Sequence, residues 1–118
     1  MRAIRAAEGG CDPKGFWRVP KFQISTFKFK IGVMTDGNHH HLAPRTVQES
    51  QSEMAEVVLP NDANPLGNLL GGRLMHLIDI AGAMAAHRHA RSYVVTASMD
   101  HIDFLSPVHI GDLLILRS

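Results

Sequence analysis

Residues 71–90 have the sequence GGRLMHLIDIAGAMAAHRHA and are predicted to form the central helix of the fold. Within this stretch, apolar side chains recur at spacings of three and four residues, at Leu74, Leu77, Ile78, Ala81 and Ala85. That spacing is typical of a helix that buries one face. At a rise of about 1.5 Å per residue, the helix would be about 30 Å long and would cross a whole small sheet.

Strands are predicted on both sides of this helix. The apolar positions within 54–59 indicate a strand, and 61–68 is predicted to be a long loop because turn-forming residues fill it. The β-branched residues of 93–99 favour a strand that continues through Phe104, and 113–116 begins another strand after a turn. One long helix flanked by strands places the chain in the α+β class.

The first part of the chain is predicted to lie outside this domain. We assign residues 1–45 to a leader or disordered segment, with an organellar transit peptide and a misplaced start codon as alternatives, and residues 46–118 to the domain. The stretch 22–31 alternates only partially and is set apart from the domain even if it forms a strand. Because the chain ends inside the strand that begins at 113, we expect it to be a fragment or to be completed by partner chains.

The composition argues against several classes of partner. Among 118 residues, 12 Lys and Arg stand against 11 Asp and Glu, and a net charge of +1 favours neither a nucleic acid nor a membrane surface. The longest apolar stretch, residues 74–86, is too short to span a bilayer. A lone Cys11 suits a reducing cytoplasm. The run His39–His41 has no partner ligand at metal-binding spacing, so no metal site is predicted.

Asp79 is the candidate catalytic residue, because it lies among the apolar residues of 77–83 on the helix. A carboxylate in such surroundings is expected to be partly desolvated, which suits a general base. The alternative is a structural residue on the solvent side of the helix that pairs with His76, three positions earlier. The pattern alone leaves both interpretations open.

Gly71 and Gly72 are candidate substrate-binding residues at the start of the same helix. The first turn of a helix has backbone N–H groups without intrahelical partners, and glycine allows a substrate carbonyl to approach them. Such donors can stabilise an oxyanion, although two glycines also permit tight packing. Together with Asp79, about 10 Å further along the axis, they describe an acyl-transfer site.

The motifs resemble those of the hotdog-fold acyl-CoA thioesterases, also called cytosolic acyl-CoA hydrolases. The resemblance rests on PNDANPLGNLLGGRLM at 60–75, IDIAGA at 78–83 and VTASMD at 95–100. It continues through the short motifs IDF at 102–104, PV at 107–108 and GD at 111–112. It covers roughly residues 46–118 and does not extend to residues 1–45.

This resemblance implies a long central helix wrapped by an antiparallel sheet that is incomplete in this chain, since the family domain continues for several strands beyond Ser118. It implies homodimers, in some members trimers of dimers, with active sites at the interface. Asp79 would be the catalytic acid, as general base or nucleophile, and Asn64 the second catalytic residue, acting across the interface. Backbone amides around Gly71 and Gly72 would hold the thioester oxygen. Coenzyme A would be part of the substrate, with no retained cofactor.

The expected activity is therefore hydrolysis of an acyl-CoA thioester to a carboxylic acid and free coenzyme A. A non-catalytic module that binds acyl-CoA as a sensor is the alternative, although a pure binding module does not need an acid at position 79. A hotdog hydratase ranks last, because the spacing of His76 and Asp79 does not match the hydratase pattern.

Overall fold

The computed structural model describes residues 5–7, 29–33, 43–100 and 102–118. In chain order the elements are β1 (Arg5–Ala7), β2 (Phe29–Val33), α1 (Val47–Ser50), β3 (Glu53–Val57), a 3-10 turn (Pro60–Asp62), α2 (Gly71–Ala90), β4 (Val94–Met99) and β5 (Leu113–Arg117). The strands form two antiparallel sheets, one in the order β1-β5-β3 and the other pairing β2 with β4.

The core lies between one face of α2 and the sheet that contains β3 and β5. The register pairs Met54 with Leu116 and Glu56 with Leu114, so the alternate side chains of both strands share one face. The buried apolar side chains are Val58, Leu74, Leu77, Ile78, Ala81, Val108, Leu114 and Leu116. Burial of this set fixes α2 in rotation about its own axis and therefore determines which helix residues face away from the core.

Both ends of α2 follow from local sequence. The helix begins after Leu70, which provides no side-chain cap, and ends at Ala90. The next residue, Arg91, still donates its N–H to the carbonyl of His87, and its left-handed backbone (φ 51°) stops the helix. The last turn contains His87, Arg88 and His89, and positive charge there stabilises the negative end of the helix dipole. α1 packs against these last turns, with the Ser50 hydroxyl 3.0 Å from Nδ1 of His89.

The predicted helix over 71–90 is confirmed, and so are strands at the start of the domain, after the helix and from residue 113. The extension of the second strand through Phe104 is wrong: β4 ends at Met99, opposite Phe29, the first residue of β2. Without a ladder partner in the described part of the chain, residues 102–104 form no strand. Phe104 packs instead against the start of α2.

The pairing of the strands corrects one detail at residues 29–31, the described part of the stretch 22–31, which was expected to lie apart from the domain. Phe29–Val33 pairs with β4, and Arg5–Ala7 pairs with β5. These pairings are backbone contacts with distant strands, so the weak side-chain alternation of the early chain did not reveal them. Residues 22–28 and the run His39–His41 lie outside the described residues. The boundary of the domain near residue 46 stays a prediction.

Within the described residues, no helix is long and apolar enough to cross a membrane.

Leu114→Ala should destabilise the fold strongly, because Leu114 is 0% exposed at the centre of the core. We expect a loss of about 2–5 kcal/mol in the free energy of unfolding, measured by urea denaturation. Leu113→Ala is the matched control, since Leu113 is the preceding residue on the same strand, points to the other face and is 37% exposed. Equal losses for the two variants would contradict the assigned core.

Candidate active site

Asp79 lies near the middle of α2 and is half-buried. The hydroxyl of Thr96, on β4, donates a hydrogen bond to its Oδ1. His76 is exposed and makes no hydrogen bond or ion pair with Asp79, so the structural pairing considered from the sequence does not form. The carboxylate is thus oriented by a neutral hydroxyl donor, and its charge is not neutralised by a cation among the described residues.

A β-bulge lies directly beside Thr96. Lys30 is paired with Ser98 and Ile31 with Thr96, which leaves Ala97 without an opposite residue on β2. An extra residue in one strand bends it and redirects the neighbouring side chains, and such bulges are common next to functional sites. The bulge therefore lies next to the residue of β4, Thr96, whose hydroxyl donates to Asp79 on the helix.

Asn64 closes the loop that precedes α2. Its Oδ1 accepts hydrogen bonds from the backbone N–H groups of Leu66 (3.0 Å) and Asn68 (3.1 Å). Two backbone hydrogen bonds complete the turn. The Asn64 N–H donates to the carbonyl of Asn68 (2.7 Å), and the Gly67 N–H donates to the backbone carbonyl of Asn64 (2.9 Å). Because Oδ1 is engaged in the turn, the further hydrogen bonds of this side chain come from its NH₂ group, which carries two donors.

An apolar cleft of about 290 Å³ opens beside the start of α2. It is lined by Leu69, Gly71, Leu74, Phe104, Leu105, Ser106, Pro107 and Val108. A Cβ on Gly71 would lie 3.5 Å from the Phe104 ring, whereas a Cβ on Gly72 would meet open space. Gly71 therefore lies in a packed contact, and Gly72 presents the exposed backbone of the first helical turn, where N–H groups lack intrahelical partners.

Arg73 holds the start of α2 against the rest of the domain. Its Nη2 donates to Oε1 of Glu56 at 3.3 Å, and its Nε lies 3.0 Å from Oδ1 of Asp62 without the alignment of a hydrogen bond. Asp62 in turn accepts the N–H of Leu70 through its backbone carbonyl at 2.8 Å. Two acids around one guanidinium leave little free positive charge at this end of the helix.

The four residues expected from the sequence thus lie on two neighbouring parts of the chain. Asn64, Gly71 and Gly72 surround the start of α2, and Asp79 lies about two turns further along. No hydrogen bond joins Asn64 to Asp79 within the described part of the chain. The described residues contain no group of three or more His, Cys, Asp or Glu that could hold a metal ion.

Thr96 is a further candidate site residue, which the sequence pattern does not single out. In the sequence it is one of several β-branched residues in a strand. Its contact with Asp79 depends on how β4 packs across α2, which is a tertiary property and leaves no trace in the local pattern. The available signal was its hydroxyl, since a threonine beside a candidate catalytic helix is a hydrogen-bond donor as well as a strand former.

A family model of the thioesterase superfamily matches residues 66–118. Residues 66–118 are therefore similar to that superfamily. The match begins in the loop of Asn64 and includes α2, β4 and β5, so the matched segment contains Asp79, Thr96 and both glycines. Its hotdog fold, a long helix packed against antiparallel sheets, agrees with the α+β class expected from the sequence.

Several curated relatives are similar to this chain. An uncharacterized acyl-CoA thioester hydrolase of Bacillus subtilis is 42% identical over 74 residues, which are 63% of this chain and 43% of the relative. The acyl-CoA thioester hydrolase of Escherichia coli K12 is 35% identical over 68 residues, 58% of this chain and 52% of the relative. The human cytosolic acyl coenzyme A thioester hydrolase is 38% identical over 68 residues, covering 58% of this chain and 18% of that protein. The chain spans about half the length of these two bacterial relatives and a smaller share of the human one.

Solved structures show the same likeness. The acyl-CoA hydrolase of Staphylococcus aureus, in complex with butyryl coenzyme A, coenzyme A and coenzyme A disulfide, has a TM-score of 0.60 at 40% identity, covering 62% of this chain and 44% of that one. An apo-hexameric acyl-CoA thioesterase has a TM-score of 0.61 at 41% identity, covering 64% and 49%.

Three further structures of the Staphylococcus aureus enzyme are variants in which an asparagine, an aspartate or a threonine is replaced by alanine. The replaced asparagine lies 15 residues before the replaced aspartate, and the replaced threonine lies 17 residues after it. Asn64, Asp79 and Thr96 have the same two spacings in this chain.

Gly67→Ala should destabilise the loop that contains Asn64, because Gly67 has a positive φ of 78°. We expect a loss of about 1 kcal/mol in the free energy of unfolding, since a side chain is strained in this conformation. Gly72→Ala is the control: its Cβ meets nothing within 4 Å, and alanine is the better helix former, so stability should stay equal or rise slightly. Thermal unfolding of both variants checks the prediction, and a stable Gly67→Ala beside a destabilised Gly72→Ala would contradict it.

Proposed function

We propose that this chain hydrolyses acyl-CoA thioesters to a free carboxylic acid and coenzyme A. The observation that carries the proposal is the hydrogen bond from Thr96 to Asp79, which orients a half-buried carboxylate that has no cationic partner among the described residues. The spacing that Asn64, Asp79 and Thr96 share with the three replaced residues of the Staphylococcus aureus hydrolase supports the assignment of all three to one site.

Asp79 acts on the thioester through water or directly. As a general base it removes a proton from a water molecule while the water oxygen attacks the carbonyl carbon. The tetrahedral intermediate then collapses, the carbon–sulfur bond breaks, and the proton passes to the departing thiolate to give coenzyme A. As a nucleophile, Asp79 instead attacks the carbonyl carbon, and the carbon–sulfur bond breaks to release the coenzyme A thiolate and leave an anhydride. Water then hydrolyses the anhydride to the carboxylic acid and the free Asp79 carboxylate, and the released proton converts the thiolate to coenzyme A.

The thioester oxygen is held at the start of α2. Backbone N–H groups at Gly71 and Gly72 have no intrahelical acceptor and lie at the positive end of the helix dipole, so they stabilise the negative charge that develops on this oxygen. Gly72 is the more accessible of the two, because its backbone faces open space. The adjacent apolar cleft of about 290 Å³ gives the substrate a path to this end of the helix.

Asn64 supplies donors rather than an acceptor. Its Oδ1 is held by the loop backbone, which leaves the NH₂ group to orient the attacking water or the substrate oxygen. Since Asn64 and Asp79 make no contact within the described part of one chain, we propose that each site combines Asn64 of one protomer with Asp79 of another. The assembly is a homodimer, or a trimer of such dimers, and the hexameric structural neighbour supports the larger form.

We further propose a cytoplasmic location. The name of the human, rat and mouse relatives, cytosolic acyl coenzyme A thioester hydrolase, supports it.

Asp79→Ala should lower the turnover number by about 10²–10⁴-fold, the usual contribution of a positioned acid or base. Thr96→Val should lower it by roughly tenfold or more, because it removes a hydrogen bond to a charged group and keeps the shape of the side chain. Release of free thiol from a panel of acyl-CoA esters of different chain lengths, followed with a chromogenic disulfide reagent, measures both effects.

Thr46→Val is the control for these variants, because Thr46 is an exposed residue that makes no side-chain cap to α1. It should leave turnover unchanged, and circular dichroism should show all three variants folded. Wild-type thiol release by Asp79→Ala would refute the mechanism. Tight binding of acyl-CoA by the unaltered protein, with no thiol released from any ester, would identify a sensor instead of an enzyme.

Co-expression of Asn64→Ala chains with Asp79→Ala chains should restore activity that neither variant has alone. In a mixed dimer one site carries both replacements and the other carries neither, so purified mixed dimers should have about half of the wild-type activity. Thiol release by the purified mixed dimers, separated by different affinity tags, measures this recovery. No recovery, with the dimers shown intact by light scattering, would mean that both residues act within one protomer.

A further inference from the structure

Asp112 is the charged side chain that the proposed mechanism leaves unused and the structure buries. Only 7% of the residue is exposed, whereas the other acids of the described chain are half-buried or exposed. A buried carboxylate is strongly unfavourable unless it is hydrogen-bonded. Its Oδ2 accepts the backbone N–H of His109 at 2.8 Å, with Nδ1 of the same histidine 3.6 Å away. Asp112 therefore closes a tight turn over residues 109–112.

This turn is anchored to the sheet. The carbonyl of Asp112 accepts the N–H of Val58 at 3.0 Å, and the N–H of Gly111 donates to the carbonyl of Val58 at 2.8 Å. Val58 is itself a buried core residue directly after β3. The left-handed backbone of Gly111 (φ 89°) allows the chain to reverse between these two bonds. One side of the turn is thus held in a fixed place.

The other side of the turn holds the loop of Asn64. The N–H of Leu69 donates to the backbone carbonyl of Val108 at 2.7 Å, and the N–H of Ile110 donates to the backbone carbonyl of Gly67 at 3.1 Å. Between them, Asn68 and His109 form an antiparallel bridge. The two loops therefore behave as a short two-stranded ladder, and displacement of His109 is transmitted to Asn68 by backbone hydrogen bonds.

Asn68 is the residue that fixes the side chain of Asn64. Its N–H donates to Oδ1 of Asn64 at 3.1 Å, and its carbonyl accepts the N–H of Asn64 at 2.7 Å. The orientation of the Asn64 amide, and hence the direction of its NH₂ donors, follows the position of Asn68. The carboxylate of Asp112 is therefore linked to Asn64 in three steps: its hydrogen bond to His109, the bridge between His109 and Asn68, and the hydrogen bonds of Asn68 with Asn64. The hydrogen bonds of the bridge are made by the flanking residues, from Leu69 to Val108 and from Ile110 to Gly67.

We infer that Asp112 is a positioning residue for Asn64: its buried carboxylate holds the turn at 109–112, which sets the loop that aims the Asn64 amide at the substrate. The inference rests on the proposed function, because it assigns Asn64 a role in thioester hydrolysis. Asp112 is a buried residue, and it acts on catalysis only through another side chain.

Asp112→Ala should lower the turnover number by roughly 10- to 100-fold, the effect expected when a catalytic group moves by about 1 Å, and should change KM much less. Asp112→Asn should recover most of this loss, because its amide oxygen can still accept the N–H of His109. In the Asn64→Ala background, Asp112→Ala should add less than a twofold loss, since the side chain through which it acts is already absent.

Glu53→Gln is the matched control, because Glu53 pairs with Arg117 at the far end of the β3–β5 pair and is exposed. It should leave turnover unchanged in both backgrounds. A full multiplicative loss from Asp112→Ala in the Asn64→Ala background, or no recovery by Asp112→Asn, would show that Asp112 has a general structural role and would overturn the inference.

Amide hydrogen exchange separates this inference from the proposed function. Exchange at Asn68 and His109 should become at least tenfold faster in Asp112→Ala, while exchange at Leu77 in α2 should not change. This result in a protein that releases no thiol would refute the hydrolase and leave the loop coupling in place. Unchanged exchange at Asn68 would overturn the coupling even in an active enzyme.

Discussion

The arrangement of the site depends on the burial of one face of α2 against the sheet that contains β3 and β5. Leu74, Leu77, Ile78 and Ala81 fill that face, and Leu114 and Leu116 meet them from the sheet. Each leucine or isoleucine of this set contributes about 1.5–3 kcal/mol when its side chain is removed from water. This apolar contact determines the rotation of the helix, and Asp79 therefore lies beside the buried stripe, where it reaches β4.

Two separate sets of hydrogen bonds hold the polar groups around this contact. On the strand side, the Thr96 hydroxyl orients Asp79, and the β-bulge at Ala97 lies directly beside Thr96. The paired loops at 67–69 and 108–110 hold Asn64 from the other end of the helix, with the carboxylate of Asp112 at their base. The apolar core supplies stability, whereas these hydrogen bonds set the direction of the Asp79 carboxylate and the Asn64 amide. The proposed hydrolase site needs both, because an acid or donor that is displaced by about 1 Å loses much of its effect.

The sequence predicted what depends on local spacing. The period of α2 identified the helix and its buried face, and the turn-forming residues of 61–68 identified the loop of Asn64. It did not predict what depends on long-range pairing. The end of β4 at Met99 and the pairing of Phe29–Val33 with β4 are set by a partner strand more than 60 residues away, and Thr96 meets Asp79 only because β4 crosses the helix. Asn64 was identified as a candidate only through the motif resemblance. It does not contact Asp79 within the described part of one chain, so the local sequence gives no indication that the two residues share a site.

A single-turnover experiment with the variant Asp79→Asn decides whether the carboxylate of Asp79 carries out the reaction. Asparagine keeps the size of the side chain and an oxygen that accepts the Thr96 hydroxyl, so the substitution removes the negative charge and little else. We expect this variant to bind acyl-CoA as the unaltered protein does and to release thiol at least about 100-fold more slowly. Release of thiol at the original rate would show that the carboxylate of Asp79 does not carry out the reaction.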